Sequence, residues 1–573
     1  MSVLSISQEK EAFSWANFWL YYLFFFYFSG LYQGIIYSND ISGGTGLRQA
    51  VYMSFLWLIP LLLFPRYSKA IAAITGLFVW SSSLMSMGYL ALYGQDFSQS
   101  VLFILFESNW SESKEFLESY FSWWMLPALL FYSLIPFLIW QHTAAIQGSA
   151  NTRILLIIII SAIILWPTWS RLLIYRTSFE RAITQQMNYM EPAAPWHLVM
   201  GYIKYKKTLH EIEQHLLLNQ KLPPIAGLND SNAHTSNTLV LVIGESTNSQ
   251  RMSLYGYQRN TSPQLLALKN ELLIFDNVYA PRPYTIETLQ QVLTFADETQ
   301  PELYLSKPTL INIMKQAGYK TYWITNQQTQ TKRNTMLTTF SKQADEQIYL
   351  NNNRSQDSAQ YDEVVVKPFE KILQDKTERK FIIVHLLGTH RKYHYRYPTS
   401  YAYFTDTQGM PGGLSKRQQQ EYNEYDNSVR YNDYIVARLI HSFKNSRNNG
   451  FLVYFSDHGE EVYDKSDHLF AGRNEAAPSS HMYTIPFLLW QSDTWKKHNP
   501  LPAEEQFIHR AYGASDFIYT WTDLAGIHFN EFDPSRSLVN PQFKQHPIWI
   551  GDPNNPKNLR DLRIQPFADR QLP

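Results

Sequence analysis

The sequence predicts two regions of different fold class. The first is an α-helical membrane domain of five transmembrane helices; the second is an α/β domain with a central, mainly parallel sheet. Three observations predict this. Five apolar segments fill roughly the first third of the chain. From Asn237 onward, strand-like runs alternate with helix-like patterns, as expected for helices packed on both faces of a parallel sheet. Three of those strand-like runs end in metal-type residues. The boundaries fall at 1–170 for the membrane domain, 171–236 for an amphipathic connector and linker, and 237–573 for the α/β domain.

A chain of 573 residues exceeds one small domain. Its net charge is zero and only 17% of its residues are charged, so it lacks the basic footprint of a nucleic-acid partner. Cysteine is absent. That excludes disulfides, a thiolate metal site and a cysteine nucleophile.

The apolar segments are Phe13–Tyr37, Leu47–Phe64, Ala70–Tyr93, Tyr120–Trp140 and Ile154–Trp169. Each approaches the ~20 residues needed to cross a hydrocarbon core. The first has no small-residue cleavage site and is followed by four more, so it reads as an anchor. Loop charge sets the orientation. Arg66 and Lys69 follow the second segment, and His142 and Arg153 follow the fourth. The loop after the third carries Asp96, Glu107, Glu112, Glu115 and Glu118 against Lys114. The positive-inside rule puts the basic loops in the cytoplasm and the acidic loop outside. Five spans then place everything after Trp169 outside.

In the connector, Leu209, Ile212 and Leu216 recur at helical spacing, which predicts amphipathic helices. Leu222-Pro-Pro-Ile-Ala-Gly227 ends that pattern, and a polar linker leads to Asn237.

The α/β domain opens on Leu239–Ile243, five apolar residues that read as a strand buried on both faces. Further strands are expected at Leu272–Val278, Thr321–Thr325, Phe381–Leu387, Phe451–Phe455 and Ile485–Trp490. Helices are expected at Thr285–Phe295, Leu305–Gln316, Tyr361–Leu373, Tyr422–Phe443 and Ala514–Ala525.

Chemistry in such sheets sits at the carboxyl ends of the strands. The opening strand ends in Gly244-Glu245-Ser246. Another runs Phe451 to Ser456 and is followed by Asp457-His458-Gly459. A third runs from Phe381 through His385 to Gly388-Thr-His390. Glu, Asp and His together suit zinc, with manganese as the alternative. His385 alternates along an apolar strand and reads as a core histidine. A nucleophile is offered by Tyr284-Thr285-Ile-Glu-Thr288 at a helix start, where a metal would make a hydroxyl nucleophilic. Spacing does not choose among Tyr284, Thr285 and Thr288. His468 and His481 lie in the polar loop after Asp457, as candidates for a second metal, proton transfer or phosphate binding.

The assembled pattern resembles the membrane-bound phosphoethanolamine transferases, enzymes of alkaline phosphatase/sulfatase fold that modify lipopolysaccharide. Val242-Ile-Gly-Glu-Ser246, Arg251-Met-Ser-Leu-Tyr-Gly-Tyr257 and Asn260-Thr-Ser-Pro263 are similar to the family's metal-ligand strand and its sequel. Ser456-Asp-His-Gly-Glu460, His385-Leu-Leu-Gly-Thr-His390, Arg396-Tyr-Pro398 and Tyr425-Asp-Asn427 with Tyr431 and Asp433-Tyr434 match further motifs. The resemblance implies Glu245, Asp457 and His458 as zinc ligands and Thr285 as fourth ligand and nucleophile. Many relatives carry Cys-Gly-Thr-Ala where this chain has Arg282-Pro-Tyr-Thr285-Ile. That stretch is similar to the branch acting on phosphorylated heptose of the core. The resemblance makes His390, His468 and His481 donor-phosphate or second-metal residues. It places Ser108, Asn109 and Glu112 near the donor headgroup.

The implied protein is an inner-membrane, multi-pass transferase with its catalytic domain in the periplasm. It would move phosphoethanolamine from phosphatidylethanolamine to lipopolysaccharide through a phospho-threonine intermediate. One alternative is a phosphoglycerol transferase or a related sulfatase-fold enzyme of the envelope. Another, of a different class, is a transporter or sensor with a ligand-binding outer domain.

Overall fold

The computed structural model describes residues 12–39, 44–93, 121–176, 178–219, 223–327, 336–351, 361–465, 470–475, 477–553 and 558–567. The described residues divide into two compact units, one up to Thr208 and one from Leu209.

The first unit is helical. All five apolar segments form helix: α1 (Trp15–Ser38), α2 (Thr45–Ser54) continuing through a 3-10 turn into α3 (Leu58–Leu63), α4 (Ser68–Tyr93), α5 (Met125–Gln141) and α6 (Ala150–Ile164). Thr45–Leu63 and Pro65–Leu92 are long and apolar enough to cross a membrane. A third span results if Ala150–Ile164 and Trp166–Ile174, bent by 56°, act as one. Each of the five expected segments is helical over most of its described residues, but among the described residues only two or three helices qualify as spans, so the count of five spans is not established. The α5 helix has only 17 residues, and the 24-residue α1 carries two Trp and five Tyr, residues of membrane interfaces, beside five Phe. Apolar side chains point outward, as at Ile74, Leu77, Phe131 and Ile158. A water-soluble bundle would instead turn such side chains inward. The predicted connector helices appear as α7 (Phe179–Met190) and α8 (Trp196–Asn219).

The second unit is organised on β1 (Asn237–Gly244). The other strands are β2 (Leu272–Phe275), β3 (Lys320–Thr325), β4 (Glu346–Tyr349), β5 (Arg379–His385), β6 (Gly450–Ser456) and β7 (Phe487–Gln491). They form one sheet in the order β2-β7-β6-β1-β5-β3-β4. The ladders from β6 to β4 are parallel, whereas β7 runs antiparallel to both β6 and β2. The sheet is mainly parallel, as expected, with an antiparallel edge.

The unbroken apolar run of β1 has a direct cause: both faces are covered. Leu239, Leu241 and Ile243 pack with α9 (Thr285–Val292) and with Phe517 and Trp521 of a C-terminal helix, Phe517–Ala525. Val240 and Val242 pack with α10 (Val366–Leu373) and α11 (Lys416–Ser446). The α11 helix opens with a Ser415/Gln418 capping box, which satisfies amides at its first turn.

Several expected elements are interrupted, each for a local reason. The 305–316 pattern splits into Leu303–Ser306 and Leu310–Gln316, because Pro308 cannot continue a helix and Thr309 starts a new one with its own capping box. The 272–278 run ends at Phe275 and resumes at Val278–Tyr279, which pairs with Tyr512–Gly513. The 361–373 pattern begins as a 3-10 turn, Asp362–Val365. Asp362 there accepts from the amides of Leu387 (2.9 Å) and Gly388 (2.7 Å). The edge strand β4 was absent from the sequence expectation.

Register brings the chemistry together. Ile243 lies beside His385 of β5, and Gly244 beside Ser456 of β6. Glu245 and Asp457 therefore emerge at adjacent positions on one edge.

Candidate active site

Glu245, Asp457 and His458 each present a ligand atom, and these atoms lie within 4.8 Å of one another. All three are buried. His458 Nε2 is 3.2 Å from Glu245 Oε1 and 3.4 Å from Asp457 Oδ2. His458 Nδ1 meets the Gly459 carbonyl at 2.9 Å. That contact puts the ring proton on Nδ1 and leaves the Nε2 lone pair facing the cluster.

The three residues fit a divalent cation on two observations. Asp457 Oδ2 is buried without a hydrogen-bond partner among the described residues. Burial, and then the neighbouring Glu245 charge, push the Asp457 carboxyl up to about 7. Two carboxylates buried side by side repel each other, and a cation between them reverses that penalty.

Of the three competing hydroxyls, the fold brings Thr285 to this cluster. Thr285 is the first residue of α9, and Tyr284 occupies the cap position. The Thr285 hydroxyl donates to Glu245 Oε2 at 2.9 Å and lies 3.4 Å from His458 Nε2. Thr288 is buried and donates instead to the Arg282 carbonyl. Gln327, which the sequence did not flag, donates to the same Glu245 Oε2 at 3.2 Å. It comes from the loop after β3, and a lone glutamine after a strand carries no signal in sequence.

His390 sits beyond the end of β5. Burial drives its pKa down to about 4, so the ring is neutral, and Nδ1 has no hydrogen-bond partner among the described residues. His385 is buried as expected, edge-on to Trp323 at 6.2 Å. The side chain of His481 faces Glu461, with Nδ1 3.7 Å from its carboxylate, and is outside the three-residue group. His468, Ser108, Asn109 and Glu112 lie outside the described residues.

The remaining motif residues hold this edge in shape. Ser246 has a left-handed backbone, φ 58°. The Tyr425 hydroxyl of α11 donates to its carbonyl at 2.8 Å and accepts from the Asn248 amide at 3.0 Å. Asp433 accepts from the amides of Gln264 and Leu265, both at 2.9 Å, and so caps the short helix Pro263–Ala267. Gly388 lets the histidine-bearing loop cross the Glu245 backbone. Its φ is 57°, and a Cβ there would sit 2.6 Å from the Glu245 carbonyl oxygen. Gly388→Ala is expected to cost roughly 1–3 kcal/mol from the backbone alone. By displacing Glu245 it should also slow catalysis on the order of a hundredfold. Thermal unfolding and transfer rates of the variant check both.

Residues 237–527 match the sulfatase family. Phosphoethanolamine transferase EptC of Escherichia coli (strain K12) is 47% identical over 568 residues, 98% of each chain. The crystal structure of the C-terminal periplasmic domain of EptC from Escherichia coli, in complex with Zn, superposes with a TM-score of 0.59 at 54% identity. The match covers 61% of this chain and 98% of that one. The integral membrane protein lipooligosaccharide phosphoethanolamine transferase A (EptA) from Neisseria meningitidis matches with a TM-score of 0.60, over 91% of this chain and 97% of its own. At 18% identity it bears on fold alone. The chain belongs to the sulfatase family, among its phosphoethanolamine transferases.

Proposed function

We propose that this enzyme carries phosphoethanolamine from phosphatidylethanolamine to lipopolysaccharide, at a phosphorylated heptose of the core, with Thr285 as the covalent carrier. The observation that carries the reading is the Thr285 hydroxyl, 2.9 Å from a carboxylate of the Glu245–Asp457–His458 cluster. These three residues and Thr285 would hold zinc, the metal bound in the solved EptC domain. Zinc there supplies Lewis-acid charge and lowers the hydroxyl pKa.

In the first half-reaction Thr285 Oγ1 forms a bond to the donor phosphorus. The phosphorus–oxygen bond to diacylglycerol breaks, and the hydroxyl proton is balanced by one taken up on the diacylglycerol oxygen. In the second half an acceptor oxygen of lipopolysaccharide bonds to the phosphorus, the bond to Thr285 Oγ1 breaks, and the proton lost by the acceptor is balanced by one regained on Thr285, giving a ping-pong scheme. Neutral His390, whose Nδ1 has no hydrogen-bond partner among the described residues, is suited to bind the donor phosphate or a second metal. Five helices in the inner membrane, with the catalytic domain on its periplasmic side, would put the enzyme in the compartment where it meets both lipids.

Mass spectrometry of lipopolysaccharide from cells with and without the gene tests the donor group and acceptor. The expected difference is one phosphoethanolamine on a core heptose phosphate. Transfer of label from a glycerol-headgroup lipid, with none from ethanolamine, would overturn the reading.

Glu245→Ala should leave the protein folded and inserted, lower its bound zinc and cut transfer on the order of a thousandfold or more. Metal analysis beside rate measurement checks this. Chelation of the wild type should give the same loss, reversed by added zinc.

A further inference from the structure

Arg473 ends in the same cluster, and neither the motifs nor the zinc chemistry above uses it. It follows the two-residue strand Ala471–Gly472, which pairs with Glu461–Val462. Its Nη1 lies 2.6 Å from His458 Nε2 and 3.6 Å from Glu245 Oε1. Thr285 Oγ1 lies against that same His458 nitrogen. The guanidinium also sits 6.0 Å from the centre of the Tyr284 ring. The arginine side chain is 19% exposed, so one side of it opens outward.

We propose that Arg473 is a catalytic residue that grips the non-bridging oxygens of the phosphoryl group as it passes to and from Thr285. The proposal rests on the function assigned above. His458 Nε2 has one lone pair. Once that lone pair serves a metal, it no longer accepts from Arg473. Besides Glu245, the arginine then keeps Glu460 as an anionic neighbour, with Oε2 3.8 Å from Nε. Glu460 is fully buried, and that oxygen has no hydrogen bond among the described residues. Its other oxygen accepts from the Tyr393 hydroxyl at 2.7 Å, which fixes the carboxylate in place. Glu460 can thus anchor the Nε edge of the guanidinium while the Nη donors turn to a ligand. A fixed, permanently charged fork beside the nucleophile matches the paired oxygens of a phosphodiester, and a lysine point charge does not.

The test uses the full-length, zinc-loaded enzyme and its Arg473→Ala and Arg473→Lys variants. The readouts are transfer rate, zinc content, inhibition by inorganic phosphate, and rescue by free guanidinium. Arg473→Ala should lose about 10²–10³ in kcat/KM, as for removal of a transition-state donor. It should keep its zinc, and phosphate inhibition should weaken at least about tenfold. Guanidinium should restore part of the rate, and Arg473→Lys should recover less than the full rate. Unchanged phosphate inhibition, or loss of zinc in step with activity and no guanidinium rescue, would overturn the proposal. A misfolded alanine variant leaves the lysine variant to decide. Wild-type-like kinetics and phosphate inhibition in Arg473→Lys would remove the case for a fork. A wild type that transfers no phosphoethanolamine would refute the functional reading itself, whereas an active wild type with an equally active Arg473→Ala would refute only this step.

Discussion

Thr285→Ala should abolish phosphoethanolamine transfer, with a loss of roughly four orders of magnitude or more. The size follows from the geometry. Thr288 is spent on the Arg282 carbonyl, so it cannot substitute. Ser246 donates to Glu245 Oε1 at 2.8 Å, but its left-handed backbone is tied down through Tyr425. Thr285→Ser keeps an oxygen on the same helix start and should retain measurable activity. Initial rates with a fluorescent phosphatidylethanolamine measure the loss. Intact-protein mass spectrometry in the absence of acceptor should show the phosphoethanolamine adduct on the wild type and on Thr285→Ser, and not on Thr285→Ala. An adduct that persists in Thr285→Ala would move the nucleophile elsewhere.

The largest effect on stability is expected at Asp426 of α11. This carboxylate is fully buried. Its Oδ1 accepts from Arg251 Nε at 3.0 Å and Nη2 at 2.8 Å. Its Oδ2 accepts from Arg259 Nη1 at 2.6 Å and the Tyr257 hydroxyl at 3.1 Å. Arg251 has a second anion, Asp464, at 2.7 Å, and stacks over Tyr422 at 3.6 Å. Removing Asp426 strips two buried arginines of the anion they share, which costs about 3–5 kcal/mol. Chemical denaturation of the purified chain in detergent should show Asp426→Ala at that cost, with Asp426→Asn between it and the wild type. Because Tyr425 is the next residue and holds the Ser246–Asn248 turn, transfer should fall as well. An Asp426→Ala variant within about 0.5 kcal/mol of wild type would show that Asp464 alone satisfies Arg251.

The pairing of Arg251 with Asp426 also shows how far the sequence could be read. Both residues lie in stretches that resemble family motifs, yet nothing in the spacing says that they touch. They are 175 positions apart. The same holds for Tyr425 and Ser246, and for Asp362 beneath the Gly388 loop. These contacts are set by how α11 and the 362–365 turn pack on the sheet, and packing between distant segments leaves no periodic trace. Where local rules govern, the reading succeeded. The apolar run of β1 announced a strand covered on both faces, and the helical periods of α10 and α11 announced its cover. Pro308 divides the 305–316 period by a local rule, whereas β4 is a short edge strand whose half-polar pattern carries no strand signal.

By itself, the sequence determined which residues could do the chemistry: an acid after one buried strand, an acid and a histidine after another, and a hydroxyl at a helix start. Residue type and position at an element's end are local properties, and they are legible one residue at a time. Only the tertiary structure decided that these groups meet. Ser246 and Asp457 are 211 positions apart and still share a hydrogen bond of 3.2 Å, because β1 and β6 run parallel in register. The fold also brings the Thr285 hydroxyl to Glu245 and turns that of Thr288 to the Arg282 carbonyl. It set Arg473 against the cluster just after a two-residue strand, Ala471–Gly472, that has no pattern of its own. A buried charge stands where its partners are, and partners from distant segments are a property of the packed chain.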